Sequence, residues 1–117
     1  MKLFSAPIAN VNYCLAENQK QFDKIVKALG IKETFPSAGE ACTHTYVNGN
    51  KVICIVQVNK KPKNKMEYYA LLAHEAVHVY QEVIEWMSDE KPSAEFQAYV
   101  IQGILLDLLE SIKKEKK

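Results

Sequence analysis

The feature that most constrains the fold is a pair of strand-forming segments separated by the short sequence NGN. The first, ACTHTYVN at residues 41–48, alternates in polarity and is rich in β-branched side chains. The second, KVICIVQVN at residues 51–59, is strongly β-forming from Val52 to Val58. Because Asn-Gly is a strong short-range turn signal, we predict a β-hairpin. The apolar run predicts that the second strand is central, which leaves residues 42–48 as the edge strand.

Three other segments have helical periodicity. Residues 12–30 place five apolar side chains on one stripe, which predicts a helix ending at Gly30; the five are Leu15, Phe22, Ile25, Val26 and Leu29. Residues 66–87 predict a long helix, and a second long helix is expected from Pro92 or Ser93 to about Ile112. The lysine-rich end, residues 112–117, is expected to fray.

The order of these elements is helix, hairpin, helix, helix, which predicts an α+β domain. We expect the N-terminal helix, a small antiparallel sheet and two packed C-terminal helices to form one domain over residues 1–117, because 117 residues suit one compact unit. The formal net charge of +1 gives no global field that would favour nucleic acid or a membrane surface. The longest apolar-rich run is too short and too polar to span a bilayer.

The cysteines bear on the cellular compartment. Cys14, Cys42 and Cys54 are odd in number and form no CxxC pair, which argues against a disulfide framework. They are expected to be small buried apolar residues. The N-terminus has no continuous apolar stretch of the kind that a signal peptide requires. We therefore expect a cytoplasmic protein.

The first long helical segment contains the sequence HEAVH, in which His74 and His78 are four residues apart. On an α-helix both imidazoles lie on one face and can reach a single ion at about 2.0–2.1 Å, the usual Zn–N distance. Glu75 lies about 100° around the helix from His74, so it can sit beside the ion without binding it. A general base is needed there to take a proton from zinc-bound water. The alternative is a pair of hydrogen-bonded core histidines.

A catalytic zinc site uses three protein ligands and an open fourth position, so two histidines are only part of a site. Glu82 continues the histidine stripe, but eight residues of helical rise, about 12 Å, separate it from His74. The third ligand is therefore expected on another element. Asp89 and Glu90 lie in the turn between the two long helices. Glu95, in the first turn of the last helix, is the best candidate.

The sequence around Glu95 agrees with a site between the two helices. Ala98 and Tyr99 share its helical face. The small Ala98 would allow the helices to approach closely, and Tyr99 could donate a hydrogen bond to a ligand or to an oxyanion. The alternative for Glu95 is a glutamate that is stabilised by the positive end of the helix dipole.

The combination of HEAVH with SAEFQAY, in which sixteen residues lie between His78 and Glu95, resembles the gluzincin branch of the zincin metallopeptidases. The short chain is also similar to small HExxH proteins that bacteriophages and prophages encode. The resemblance covers roughly residues 66–105 and implies a minimal zincin-like domain. It implies His74, His78 and Glu95 as zinc ligands and Glu75 as the base. Many gluzincins carry an aspartate where this chain has Tyr99, which leaves open the group that orients His74.

Other side chains are candidates for the second oxyanion donor. His44 alternates with Thr43 and Thr45 along the first strand, and it is a candidate if that face lines the cleft. The simpler interpretation of His44 is a half-exposed strand histidine. The lysine run at residues 60–65 has a solvated loop as its default interpretation, with phosphate contact as the alternative.

The sequence therefore predicts a zinc-dependent hydrolase, and most specifically a minimal metallopeptidase that acts on a peptide or protein. The alternative is a non-catalytic, zinc-stabilised phage binding module that acts on a host factor, with zinc stabilising a small core. The glutamate after the first histidine argues against the second hypothesis, because a structural site needs no base.

Overall fold

The computed structural model describes residues 2–6, 10–32, 34, 37, 39–86 and 92–115, with side chains as far as Ile112. These residues form an α+β structure, as predicted. Its elements in chain order are β1 (Phe4–Ser5), β2 (Val11–Ala16), α1 (Gln19–Ala28), β3 (Ala41–Asn48), β4 (Lys51–Val58), α2 (Lys65–Glu85) and α3 (Ala94–Glu115).

The strands form one four-stranded sheet in the order β1-β2-β4-β3. The predicted hairpin is confirmed, since β3 and β4 pair antiparallel with Asn48 opposite Lys51. β4 is central and β3 is at the edge, again as predicted. The expectation of a purely antiparallel sheet is wrong, because β2 lies parallel to β4.

The sequence-based helix at residues 12–30 is too long at its N-terminal end. Residues 11–16 form strand β2, and α1 begins only after Asn18, whose side chain accepts a hydrogen bond from Gln21 N at 2.8 Å. Leu15 therefore leaves the predicted helical stripe, whereas Phe22 and Ile25 remain on it and are buried. The segment is a strand because its alternate side chains are buried in the two hydrophobic clusters on opposite faces of the sheet.

The sheet separates two hydrophobic clusters. On one face α1 covers a smaller cluster that includes Cys14, Phe22 and Ile55. On the other face α2 and α3 cover the larger cluster, which includes Tyr13, Leu72 and Leu108. Each fully buried large apolar side chain contributes roughly 1.5–3 kcal/mol to this arrangement.

The two long helices pack against each other, as predicted. Asn64 caps α2 by accepting from Met66 N at 2.7 Å, and Ser93 Oγ accepts from Phe96 N at 3.2 Å at the start of α3. The buried residues of α3 recur every four positions, at Val100, Ile104, Leu108 and Ile112. α3 continues to Glu115, beyond its expected end at about Ile112. No helix in the described ranges has the length and apolar character needed to cross a membrane.

Candidate metal centre

The two histidines of HEAVH lie side by side on the exposed face of α2. Their Nε2 atoms are 3.1 Å apart, and their rings meet edge to face at 76°. Both side chains are exposed, so the alternative of a core histidine pair does not describe them. Two imidazoles therefore present the same nitrogen to the same point in solvent.

The separation of the two nitrogens fits a shared zinc ion. Two nitrogens bound at about 2.05 Å with a tetrahedral angle would lie about 3.3 Å apart. The observed 3.1 Å corresponds to an angle of about 100° at the same bond length. The spacing of the two nitrogens is thus compatible with one shared ion.

A glutamine orients the second histidine. Gln81 Oε1 lies 3.0 Å from His78 Nδ1. Because an amide oxygen only accepts, Nδ1 carries the hydrogen, and in the neutral ring the lone pair is on Nε2. The lone pair of His78 is therefore directed towards His74.

Glu75 lies next to this pair but points towards the sheet. It is 2% exposed, and among the described residues it is the only buried side chain that carries a formal charge at neutral pH. Thr43 Oγ1 on β3 donates to Glu75 Oε1 at 2.9 Å. A buried carboxylate is costly unless it has partners, and the Thr43 hydroxyl is one partner of Glu75.

These residues line an open cleft between α2 and the edge strand β3, with a volume of about 320 Å³. The lining side chains include Thr43, Thr45, His74, Glu75, His78, Gln81 and Glu82. An adjoining hollow of about 520 Å³ shares Ala41, His74 and Glu75 with the cleft. The result is a groove that passes over the histidines and runs alongside β3.

Glu82 adds a second carboxylate to the cleft. Partial burial and the neighbouring Glu85 raise its pKa, whereas a hydrogen bond from Trp86 lowers it. In the described part of the chain, no lysine lines the cleft. Its electrostatics therefore favour a cation.

His44 is not brought to the cleft. Along β3, Thr43 and Thr45 face α2, whereas His44 faces α1 and is only 5% exposed. Its Nε2 donates to Gln57 Oε1 at 2.8 Å, and its ring lies 4.8 Å from that of Phe22. The strand alternation was predicted, but the face was not, and His44 is a buried residue of the α1 side rather than a half-exposed one.

Glu95 and Tyr99 do not line the cleft that contains the histidines. Glu95 is exposed in the first turn of α3. Tyr99 is 67% exposed and lines a separate hollow with Tyr13 and Asp107. Within the described ranges, no three His, Cys, Asp or Glu side chains are grouped closely enough to hold one metal ion. The turn candidates Asp89 and Glu90 lie outside those ranges.

The sequence interpretation missed two residues of the site. Gln81 could have been found, because it lies three positions after His78 and hence on the same helical face. Thr43 could not, because its contact with Glu75 joins residues that are 32 positions apart.

Comparisons of the chain with protein-family models, with curated proteins and with solved structures found no match. The geometry of the site contains two converging imidazoles, a buried carboxylate beside them and an open groove. Together these features are typical of a metal-dependent hydrolytic site.

Proposed function

We propose that the protein is a zinc-dependent hydrolase with a minimal zincin-like fold, acting as a metallopeptidase. One observation carries this proposal: the Nε2 atoms of His74 and His78 converge to 3.1 Å beside the buried Glu75. An HExxH helix places ligands and base in this relation because residues i and i+4 share a face and residue i+1 is turned away from it.

His74 and His78 would hold the ion, and Glu95 remains the candidate for the third ligand. When bound, zinc supplies a Lewis acid and lowers the pKa of water. Asp89 and Glu90 are the alternatives to Glu95, because they lie in the connection between α2 and α3. Glu95 would have to approach the histidines from its exposed position at the start of α3.

The role proposed for Glu75 is that of general base. Its carboxylate would accept a proton from the attacking water and then pass that proton to the leaving amine. Thr43 supports this role by holding one carboxylate oxygen at 2.9 Å, which fixes the direction of the side chain. Burial of the carboxylate places the proton transfer in a medium of lower dielectric constant than water.

The groove suits an extended peptide as substrate. β3 ends the sheet, so its outer backbone edge has no strand partner among the described residues. An extended segment could add to that edge through main-chain hydrogen bonds and pass over the histidines. The three cysteines are free, which suits a reducing compartment such as the cytoplasm.

Metal analysis tests the ligand set. The purified parent should carry about one zinc ion per chain, and His78→Ala and Glu95→Ala should both lose it. Glu110→Ala is the matched control, since Glu110 is another exposed glutamate of α3. Zinc retained in Glu95→Ala but lost in His78→Ala would assign the third position to another donor. A parent that binds no zinc would contradict the proposal.

Catalysis is tested with a complex peptide mixture, because the substrate is unknown. Zinc-loaded parent should generate new peptide termini, and Glu75→Gln should generate none while retaining its zinc. Equal activity of the two proteins would exclude Glu75 as the base. Full biological activity in Glu75→Gln would favour the zinc-stabilised binding module instead.

A further inference from the structure

Gln81 makes a side-chain hydrogen bond to His78, one of the two proposed zinc ligands. It lies on α2 three positions after His78, and its Oε1 is 3.0 Å from His78 Nδ1. Gln81 is exposed and lines the cleft rather than the core. Packing therefore does not explain its orientation, whereas the hydrogen bond to His78 does.

The two ring nitrogens of a histidine are coupled, because a neutral imidazole has one hydrogen. If Nδ1 carries it, Nε2 has a free lone pair and can bind a metal. If Nε2 carries it, that nitrogen cannot bind until the hydrogen moves. An acceptor at Nδ1 therefore selects the form of His78 that binds through Nε2, and it also raises the basicity of that nitrogen.

The orientation of the Gln81 amide therefore determines which ring nitrogen of His78 carries the hydrogen. The amide oxygen faces Nδ1, which stabilises the hydrogen there. The opposite orientation would place the NH₂ group against Nδ1 and would favour the hydrogen on Nε2. In the first arrangement His78 Nε2 accepts from His74 Nε2–H across the 3.1 Å contact, and His74 must release that hydrogen before it can bind a metal through the same nitrogen.

We propose that Gln81 is a positioning residue of the metal centre, whose side-chain oxygen holds His78 in the tautomer that presents Nε2 to the ion. This inference rests on the proposed function, since it assumes that His74 and His78 bind the metal. It assigns to a residue of the HExxH helix itself the task of orienting the second histidine.

The test is zinc affinity, measured by competition with a chelator of known affinity, in the parent and three variants. Gln81→Met removes the acceptor at similar size and should weaken zinc binding about 10- to 100-fold. Gln81→Glu restores an acceptor oxygen and should bind zinc at least as tightly as the parent. Gln102→Met is the matched control, an exposed glutamine on α3, and should leave the affinity unchanged.

A second measurement separates positioning from a general structural effect. In the zinc-free parent, nitrogen NMR of His78 should report the hydrogen on Nδ1, and Gln81→Met should move the population towards Nε2–H. Unchanged affinity or an unchanged tautomer in Gln81→Met would overturn this inference and leave the proposed function intact. A parent that binds no zinc would overturn the proposed function and the inference with it.

Discussion

The molecule contains histidines in two contrasting settings, one on each side of the sheet. On the α1 side, His44 is buried, and its Nε2 donates to Gln57. Gln57 in turn donates to Gln19 Oε1 at 2.8 Å. On the α2 side, His74 and His78 are exposed, and each directs Nε2 at the other.

The two settings differ in the partners of the histidine Nε2 atoms. The Nε2 of His44 is used within the protein, in a chain of amides that satisfies buried polar groups. The Nε2 atoms of His74 and His78 meet in an open cleft, where water could have satisfied each of them separately. Convergence without burial is therefore the property that distinguishes the proposed ligand pair, His74 and His78, from the structural His44.

The largest difference between the two histidine settings is expected in zinc affinity. His78→Ala should weaken zinc binding about 100- to 1,000-fold, taking one ligand as a quarter of the roughly 10–16 kcal/mol of a four-ligand site. His44→Ala should leave the affinity unchanged, because His44 lies on the opposite face of the sheet. Isothermal titration with zinc compares the two. Equal losses in both variants would remove the distinction between the settings.

The cysteines offer a second comparison of exposed and buried sites. Burial raises the pKa of the Cys14 and Cys54 thiols to about 12, so few of these thiols are ionised at pH 8. Cys42 is partly exposed on the edge strand. A thiol-reactive dye should therefore label Cys42 about 100-fold faster than the other two. The loss of the fast phase in Cys42→Ser is the check, and a fast phase that survives there would contradict this assignment.

Stability should respond in the opposite order to metal affinity. His44→Ala should lower the free energy of unfolding by about 2–3 kcal/mol, because it leaves a cavity against Phe22 and an unsatisfied Gln57 oxygen. The melting temperature of the zinc-free protein should fall by about 8–12 °C. Val47→Ala, at an exposed position of the same strand, is the control and should change stability by less than about 0.5 kcal/mol. A His44→Ala protein as stable as this control would contradict the structural role of His44.

The smallest effect is expected at Glu75. Glu75→Gln removes a buried charge and can keep its hydrogen bond with Thr43, so it should stabilise the zinc-free protein by about 0.5–1 kcal/mol, or about 2–4 °C. Thermal denaturation with an excess of chelator measures this change. A clear loss of stability would indicate that Glu75 is a structural residue like His44 rather than one retained for chemistry.

The sequence predicted the parts of the fold that depend on local chemistry. The turn at Gly49 and the apolar run of β4 were sufficient for the hairpin and for its edge and centre. Strand β2, which pairs antiparallel with β1 and parallel with β4, was missed because it is buried on both faces and so shows no alternation of polar and apolar residues. Its apolar residues were then assigned to the helix that follows.

In the candidate site, too, the sequence predicted what depends on local geometry and did not predict what depends on tertiary packing. The relation of His74, Glu75 and His78 follows from helical geometry alone and is present as predicted. The face on which His44 lies depends on which helix covers which side of the sheet, which strand alternation does not encode. The position of Glu95 depends on the packing angle of α3 and on the connection before it, which helical spacing does not specify, so its role as third ligand stays a prediction.

The most direct test of the central claim is an anomalous difference map at the zinc absorption edge, from crystals of the zinc-loaded protein. We predict one peak between the two histidines, about 2.0–2.1 Å from the Nε2 atoms of both His74 and His78. The same map would identify the third donor, with Glu95 as the expected residue. Zinc bound elsewhere, or no peak between His74 and His78 when the crystals contain zinc, would contradict the proposed zinc site.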